Sequence, residues 1–401
     1  MNGQKKRIML SLVYVNIFVV FLGISLVIPV LPTIMNELHV SGTVVGYLTA
    51  AFALTQLIVS PFAGKAADKF GRKKLIVVGL FIFGFSELLF GLGKTIEVLF
   101  ASRILGGISG AFIMPAVTAF IADITTVDTR PKALGYMSAA INTGFIIGPG
   151  IGGFLAEIGT RVPFFTAAVI GILVAISSLL LLKEPSNQDQ DQENESANEA
   201  KTSSKSMLAP AFLIAFGVIF VASFGLAAFE SFFSLYVDHK FAFSPSDIAI
   251  AITGGAIVGT ICQILLFAPL TKSMGEINIV RISLALSAIL VYAMTLVSSY
   301  WVIMIVTFTV FVGFDLIRPA VTTFLSRHAG DNQGFVGGMN SFFTSLANVF
   351  GPIIGGSLFD IDINYPYYFS ALVIVIGFII AMLFWKEPRL KLSENEAASG
   401  K

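Results

Sequence analysis

Residues 148–153 read GPGIGG, and residues 351–356 read GPIIGG, 203 positions further along the chain. A second pair of matching segments, PAVTAF at 115–120 and PAVTTF at 319–324, lies at a displacement of 204. Agreement at separate places with nearly one displacement predicts two homologous halves. A duplication that was kept only for stability is the alternative interpretation.

The repeated segments lie in a chain of low charge. Its 401 residues are 56% hydrophobic and 12% charged, whereas soluble domains carry roughly 25% charged residues. So little charge cannot cover the surface of a soluble protein, and the composition therefore predicts a membrane protein. The net charge of +1 gives no indication of nucleic-acid binding, and the single cysteine, Cys262, excludes an intramolecular disulfide and a cysteine-based metal cluster.

A helix needs about 20 mainly apolar residues to cross the hydrocarbon layer of roughly 30 Å. Apolar runs between charged or turn-rich breaks give twelve such spans in this sequence. The predicted spans are 8–35, 44–64, 74–93, 98–122, 132–156, 163–183, 208–236, 247–270, 276–297, 299–326, 333–358 and 365–385. The predicted fold class is an all-α membrane protein with twelve transmembrane helices in two six-helix bundles.

One interruption between the spans differs from the others. Residues 186–206 contain no large apolar side chain, so they are predicted to form a solvated cytoplasmic linker. The predicted domains are therefore an N-terminal bundle at 1–185, this linker, and a C-terminal bundle at 207–401. Because six helices separate equivalent positions, the repeat is parallel, with its axis along the membrane normal. Two such bundles can enclose a central cavity and rock around it.

The placement of Lys and Arg predicts the orientation in the membrane. With both termini in the cytoplasm, 20 of the 25 basic residues fall in cytoplasmic segments. The segments on the other side hold Lys94, Arg161 and Lys240, while Arg103 and Arg318 lie within spans. The sequence thus predicts a multi-pass protein of the cell membrane with both termini cytoplasmic.

The loop after the second span reads GKAADKFGRKK at 64–74. It resembles the signature G-x-x-x-D-x-x-G-R-[KR]-[KR] of the major facilitator superfamily, whereas a plain positive-inside loop needs the basic residues alone. The resemblance implies that this loop holds the cytoplasmic side shut. It assigns gating roles to Gly64, Asp68, Gly71, Arg72 and Asp123, the last as the partner of the arginine. In the second half Lys272 stands where Asp68 would repeat, so we expect the ion pairs in the first half only.

The fifth span carries a second signature, formed by Gly144, Gly148, Pro149, Gly152 and Gly153. It resembles the motif that separates antiporters from other members of the superfamily. Glycines let neighbouring helices approach closely, and a proline removes a backbone hydrogen bond and bends the helix. Tight packing without any role in the direction of transport is the alternative.

The first span carries a pattern that indicates one branch of the superfamily. Its pattern Leu22-Gly23-x-x-Leu26-x-x-Pro29-x-x-Pro32 is similar to that of the twelve-helix drug:proton antiporter branch. Nearly the whole chain resembles the Bmr, Blt and NorA group of Gram-positive multidrug efflux transporters. The segments that carry this resemblance are 52–56, 135–139, 223–230 and 313–319.

Ionisable residues inside spans are costly and are functional candidates by default. Glu230 has no basic residue within seven positions, so local pairing cannot neutralise it, and apolar surroundings favour its protonated form. Asp315 and Arg318 are three positions apart on one helix and are predicted, with Glu230 and Arg103, to take part in proton coupling; a neutral structural pair is the alternative. The resemblance implies proton coupling at Glu230 and Asp315, and Arg103 either modulates proton transfer or pairs with a carboxylate. Glu87 is expected in a structural or lipid-interface position.

The resemblance also implies a drug pocket between the bundles. Aromatic side chains attract lipophilic cations, each cation–π contact contributing roughly 0.5–2 kcal/mol, and a buried carboxylate favours positive charge. The predicted substrate-binding residues are Phe21, Phe52, Gln56, Asn142, Phe145, Phe311 and Asn348. For any single phenylalanine, core packing or lipid contact is the alternative.

No phosphate-binding loop, metal-ligand spacing or nucleophile–base arrangement occurs in the sequence. We therefore predict that the chain is not an enzyme and uses no cofactor, with the proton gradient as its energy source. We expect a proton-coupled multidrug antiporter that exports lipophilic, often cationic compounds by alternating access. A proton-linked transporter of one small metabolite is the alternative. The expected partners are the lipid bilayer, protons and the exported molecules, without nucleic acid or an obligatory protein partner.

Overall fold

The computed structural model describes residues 3–126, 129–185, 210–328 and 333–385, and regular structure within these ranges is helical throughout. The predicted linker at 186–206 lies outside the described residues. The linker and the domain boundaries placed on either side of it therefore stay predictions.

The first half begins with a broken span. Helix α1 (Gly3–Leu26) continues through a short 3-10 turn (Ile28–Val30) into α2 (Leu31–Leu38). The break falls at Pro29 and Pro32, because proline lacks the backbone N–H that a continuous helix requires. The remaining helices of this half are α3 (Gly42–Phe70), α4 (Arg72–Leu92), α5 (Ile96–Ile124), α6 (Arg130–Ile158) and α7 (Val162–Leu181).

The described part of the second half contains five helices, one of them unusually long. They are α8 (Pro210–Phe241), α9 (Pro245–Leu296), α10 (Tyr300–His328), α11 (Gln333–Phe359) and α12 (Tyr365–Phe384). Helix α9 begins at a capping box, in which Ser244 and Asp247 exchange side-chain-to-backbone hydrogen bonds.

Within the described ranges, eleven helical stretches are long and apolar enough to cross a membrane, against twelve predicted spans. The difference lies in α9, whose 52 residues would measure about 78 Å as one straight helix, far more than the thickness of a bilayer core. Gly275 interrupts it with a φ of 76°, a left-handed value that favours glycine, so 245–274 and 276–296 provide two crossings. The twelve-helix fold is therefore confirmed, and a single residue joins the eighth and ninth spans.

The backbone repeats as the sequence does. Gly71 and Gly275, 204 positions apart, both have positive φ values, 98° and 76°. His39 and Ala242, 203 positions apart, both have a φ of 54° in equivalent connections. Left-handed values are uncommon for residues other than glycine. Their recurrence at equivalent positions shows that the two halves follow the same backbone course.

The two halves meet along two helix pairs, α3 with α11 and α6 with α9. Each half also has its own cluster of buried apolar side chains, and the larger cluster extends across to Val45 and Leu48 of α3. The outer surface is apolar as well: Leu180, Ile264 and Trp301 are more than 70% exposed. A water-facing protein would not present such a surface, whereas a lipid-facing one does.

The helix pair α3–α11 is in contact at one end of the molecule and separated at the other. Gly46 of α3 lies against the carbonyl of Pro352 in α11, close to the connection 360–364. Towards the opposite end, a methyl group added to Gly64 of α3 or to Gly337 of α11 would meet no atom within 4 Å. We call the first the closed end and the second, which carries Gly71 and Gly275, the open end.

Candidate functional site

A cavity of about 210 Å³ lies between the first half and α8 of the second half. Its wall is mainly apolar, with two charged side chains of opposite sign, Arg103 from the first half and Glu230 from the second. The side chains lining it are Ile24, Val27, Ile28, Leu31, Val45, Leu48, Thr49, Phe52, Phe90, Arg103, Glu230, Ser231 and Ser234. The cavity therefore offers an apolar space with a cation at one part of its wall and an acid at another.

Glu230 faces this cavity from α8. The residue is exposed, and it forms part of the cavity wall. Among the described residues, none forms a hydrogen bond or an ion pair with its carboxylate. The sequence prediction that local pairing does not neutralise Glu230 agrees with this placement.

Asp315 of α10 lies behind Glu230. A methyl group at Gly259 of α9 would overlap its carboxylate, so that glycine makes room for the acid. The charge of Asp315 acts on the carboxylate of Glu230, and the two acids form one electrostatic unit. Arg318, one turn further along α10, is exposed, and the described chain shows no ion pair between it and Asp315. The neutral pair that the spacing allowed is therefore not formed in this state.

Arg103 of α5 pairs with Glu87 of α4, with 3.8 Å between Nη2 and Oε1. Glu87 is 2% exposed, so of the two expected placements, structural or at the lipid interface, the structure shows the structural one. A peripheral helix can still turn one face inward, and it is that face of α4 that carries Glu87. The guanidinium carbon of Arg103 also lies 4.2 Å from the ring centroid of Phe90.

The structure places the predicted substrate residues in different surroundings. Phe52 lines the cavity. Phe21 and Phe145 contact each other, with ring centroids 5.0 Å apart, and Gln56 packs against Gly110 of α5.

The other predicted substrate residues lie elsewhere. Asn142 and Asn348 are exposed and do not border the cavity. Phe311 is 5% exposed and packs against Gly255 and Phe229 in the core of the second half. In this state the structure therefore brings one of the seven predicted residues to the cavity wall.

The predicted gating loop forms a compact network within the first half. Arg72 bonds Asp68 across 2.5 Å and Asp123 across 3.2 Å, as the motif predicts. The sequence did not indicate Glu184, whose carboxylate accepts hydrogen bonds from the backbone N–H groups of Arg72 and Lys73, at 2.5 and 3.0 Å. A carboxylate there satisfies free N–H groups at the start of α4 and favourably meets the helix dipole.

The second half carries an equivalent of one of these ion pairs, with the charges reversed. Glu276 begins the second crossing of α9 and pairs with Arg327 across 2.6 Å, and these positions follow Arg72 and Asp123 by 204. Glu276 is 2% exposed, which makes the pair part of the packing between α9 and α10. The expectation that ion pairs occur in the first half only is therefore wrong. The repeat displacement, applied to Arg72 and Asp123, could have found this pair.

The second signature lies in α6, where its five residues, Gly144, Gly148, Pro149, Gly152 and Gly153, are all buried. The first three glycines face α1, and methyl groups there would overlap its backbone or the hydroxyl of Ser25. Gly153 faces the opposite way, towards the carbonyl of Pro245 in the other half. The motif therefore lets α6 pack closely on its own half and across the interface.

The equivalent glycines of α11 repeat this arrangement. Gly351 and Gly355 face α8 of their own half, and Gly356 faces the carbonyl of Gly42 in α3 of the other half. Two glycine contacts, related by the repeat, thus join the halves at the closed end.

A carboxylate adds a polar contact at the closed end. Asp360 of the second half accepts hydrogen bonds from the backbone N–H groups of Gly42 and Thr43, at 2.6 and 2.9 Å. These groups begin α3, so a side chain of one half caps a helix of the other. Partial burial alone would raise the pKa of Asp360, but the hydrogen bonds from the start of α3 lower it. Neighbouring contacts across the halves join Asn36 to Asp238 and Ser246 to Glu157.

The sequence model of the Major Facilitator Superfamily matches residues 13–240 and, separately, residues 215–400. The two matches together extend over nearly the whole chain, and they meet near the start of the second half. The chain belongs to the Major Facilitator Superfamily.

Several similar proteins align with nearly the whole chain. Multidrug resistance protein 1 of Bacillus subtilis (strain 168) is 63% identical over 96% of this chain and 98% of that protein. Multidrug resistance protein 2 of the same strain is 49% identical over 99% and 98%. The quinolone resistance protein NorA of Staphylococcus aureus (strain MRSA252) is 46% identical over 96% and 98%.

Solved transporter structures share the fold at much lower identity. A bacterial homologue of the human lysosomal transporter Spinster has a TM-score of 0.81 at 17% identity, covering 96% of this chain and 97% of that one. The nucleoside transporter NupG has a TM-score of 0.74 at 16% identity, covering 97% and 100%. At such identity these structures show the superfamily's fold alone.

Proposed function

We propose that this protein is a proton-coupled multidrug exporter of the plasma membrane, with both termini in the cytoplasm. The observation that carries the proposal is Glu230, an acid without an ionic partner in the described chain, in a mainly apolar cavity between the halves. The names of three relatives, two multidrug resistance proteins and a quinolone resistance protein, support the same class of substrate.

The orientation follows from the excess of Lys and Arg in the segments next to the open end. The open end then faces the cytoplasm, and the closed end faces outwards. The described state is inward-open, the state in which an exporter accepts its substrate.

The wall of the cavity suits lipophilic cations. Phe52 and Phe90 offer aromatic surface that does not require one ligand shape, and Glu230 supplies negative charge when ionised. A pocket for one polar metabolite would need several convergent hydrogen-bonding groups. This wall contains two charged residues and three residues with a hydroxyl group, which are Thr49, Ser231 and Ser234.

Proton coupling follows from the placement of two acids. Glu230 and Asp315 act on each other electrostatically, and burial disfavours two negative charges together. A proton taken up from outside removes one of the two negative charges and favours the return to the inward-open state. A lipophilic cation then competes with the proton, and this differential affinity shifts the equilibrium between the two states.

The test is efflux of ethidium from cells that lack their own pumps, with and without an uncoupler. We expect Glu230→Gln and Asp315→Asn each to reduce uncoupler-sensitive efflux at least tenfold at wild-type abundance. Glu97→Gln is the matched control, because Glu97 is an exposed acid at the start of α5. Normal pumping by both acid variants would contradict the mechanism.

A further inference from the structure

The ion pair between Glu87 and Arg103 lies beside the cavity, and Arg103 is part of the cavity wall. Glu87 lies on α4 and Arg103 on α5, and both helices belong to the first half. Glu87 is 2% exposed, and its Oε1 lies 3.8 Å from Nη2 of Arg103. Burying either charge without the other would leave an uncompensated charge in the membrane, which is strongly unfavourable.

Arg103 connects this pair to the cavity. Its guanidinium rests on the ring of Phe90, and both side chains are part of the wall that also contains Glu230. Arg103 and Glu230 are the charged members of that wall, they have opposite signs, and they come from opposite halves. The proton-binding acid therefore faces an arginine whose charge another carboxylate balances.

The remaining surroundings contribute little charge. From the first span and α3, the cavity receives apolar side chains and the hydroxyl of Thr49. On the side of the second half, the described charged group that acts on Glu230 is Asp315. The charged groups around Glu230 in the described chain are thus Asp315 in its own half and, on the wall of the same cavity, Arg103 with its partner Glu87.

We propose that Glu87 is a positioning residue for proton coupling: it holds Arg103 against the cavity wall and balances its charge, so that Glu230 can take up a proton. This inference rests on the proposed function. Because Glu87 and Arg103 share one half, their contact persists when the halves rock, whereas the separation between Arg103 and Glu230 changes. Without Glu87, Arg103 would be an unbalanced cation that keeps Glu230 ionised and opposes the entry of a cationic drug.

The experiment measures binding of tetraphenylphosphonium, a permanent lipophilic cation, to the purified full-length protein as the pH is lowered. Binding to the wild type is expected to fall as Glu230 becomes protonated, and Glu230→Gln should remove this dependence. In Glu87→Gln, Arg103 keeps an unbalanced positive charge that favours the ionised form of Glu230. We expect the midpoint, the pH at which half of the pH-dependent binding is lost, to fall by about one pH unit, with weaker binding at high pH.

Two further variants distinguish a positioning role of Glu87 from a role in folding alone. Glu87→Asp keeps the charge and should return the midpoint close to that of the wild type. The double variant Glu87→Gln with Arg103→Gln removes both charges and should also return it, although each change alters the packing. A merely structural role would reduce the amount of folded protein without moving the midpoint.

The outcomes distinguish this inference from the proposed function. Wild-type binding that does not depend on pH would contradict the proposed function and the inference together. Wild-type binding that depends on pH through Glu230, with an unchanged midpoint in Glu87→Gln, would overturn the inference alone. A shift that persists in the double variant would also overturn it, because the shift could not then arise from Arg103.

Discussion

The two ends of the molecule are held in different ways. At the closed end, contacts cross between the halves: Gly46 and Gly356 lie against backbone of the other half, and Asp360 caps α3. At the open end, the ion pairs of Arg72 and Glu276 stay within their own halves. The first set must break and form during a transport cycle, whereas the second can remain as the halves move. The gate of this state is thus made of close backbone contacts and a carboxylate cap, whereas the charges at the open end form ion pairs within each half.

The largest effect is expected from filling a glycine at the closed end. In Gly46→Ala the new methyl group would overlap the carbonyl of Pro352, a backbone atom that cannot move without shifting α11. Overpacking of this kind costs about 1–3 kcal/mol, which corresponds to a five- to 150-fold loss of the closed-end contact. We expect ethidium efflux to fall by at least five-fold, and spin labels on the closed ends of α3 and α11 to move apart.

Gly217→Ala is the matched control for that variant. A methyl group at Gly217 of α8 would meet no atom within 4 Å, and alanine favours a helix more than glycine does. Export by this variant should equal that of the wild type. If Gly46→Ala exported as well as Gly217→Ala, close approach of α3 and α11 would not be required for transport.

A smaller effect is expected at Asp360. Asp360→Asn keeps one of the two oxygens that accept at the start of α3, replaces the other with an amide group that cannot accept, and removes the charge that meets the helix dipole. The lost charge alone contributes about 0.3–1 kcal/mol, so the population closed at this end should fall at least about two-fold. Distances between spin labels across the closed end would measure the populations.

Asp362→Asn provides the control, because Asp362 lies in the same connection but bonds Asn364 of its own half. Its populations should match those of the wild type. A shift of equal size in both variants would mean that charge in the connection, rather than capping across the halves, sets the equilibrium.

The sequence predicted the parts that depend on local pattern or on the repeat. Hydrophobic length gave the spans, and the motif gave the partners of Arg72. The sequence could not predict that Phe311 is buried against Gly255 or that Glu87 pairs with Arg103, because these contacts depend on how each helix is rotated against its neighbours. Which end is closed also lies beyond sequence patterns, since the same glycines must serve both states.

The smallest effect is expected from pH on the cap at the closed end. Hydrogen bonds from the start of α3 lower the pKa of Asp360, against the opposing effect of its burial. A carboxylate with a lowered pKa stabilises the contact fully at any pH above its ordinary pKa, and this contribution is lost as the pH falls through the lowered pKa. The closed-end population should therefore stay constant from neutral pH down to the ordinary range of an aspartate and decrease only below it.

The measurement requires a background of Glu230→Gln with Asp315→Asn, so that the acids between the halves do not titrate. Adding Asp360→Asn should remove the acid-induced decrease, and a decrease between neutral pH and the ordinary range of an aspartate would show that another group controls the closed end.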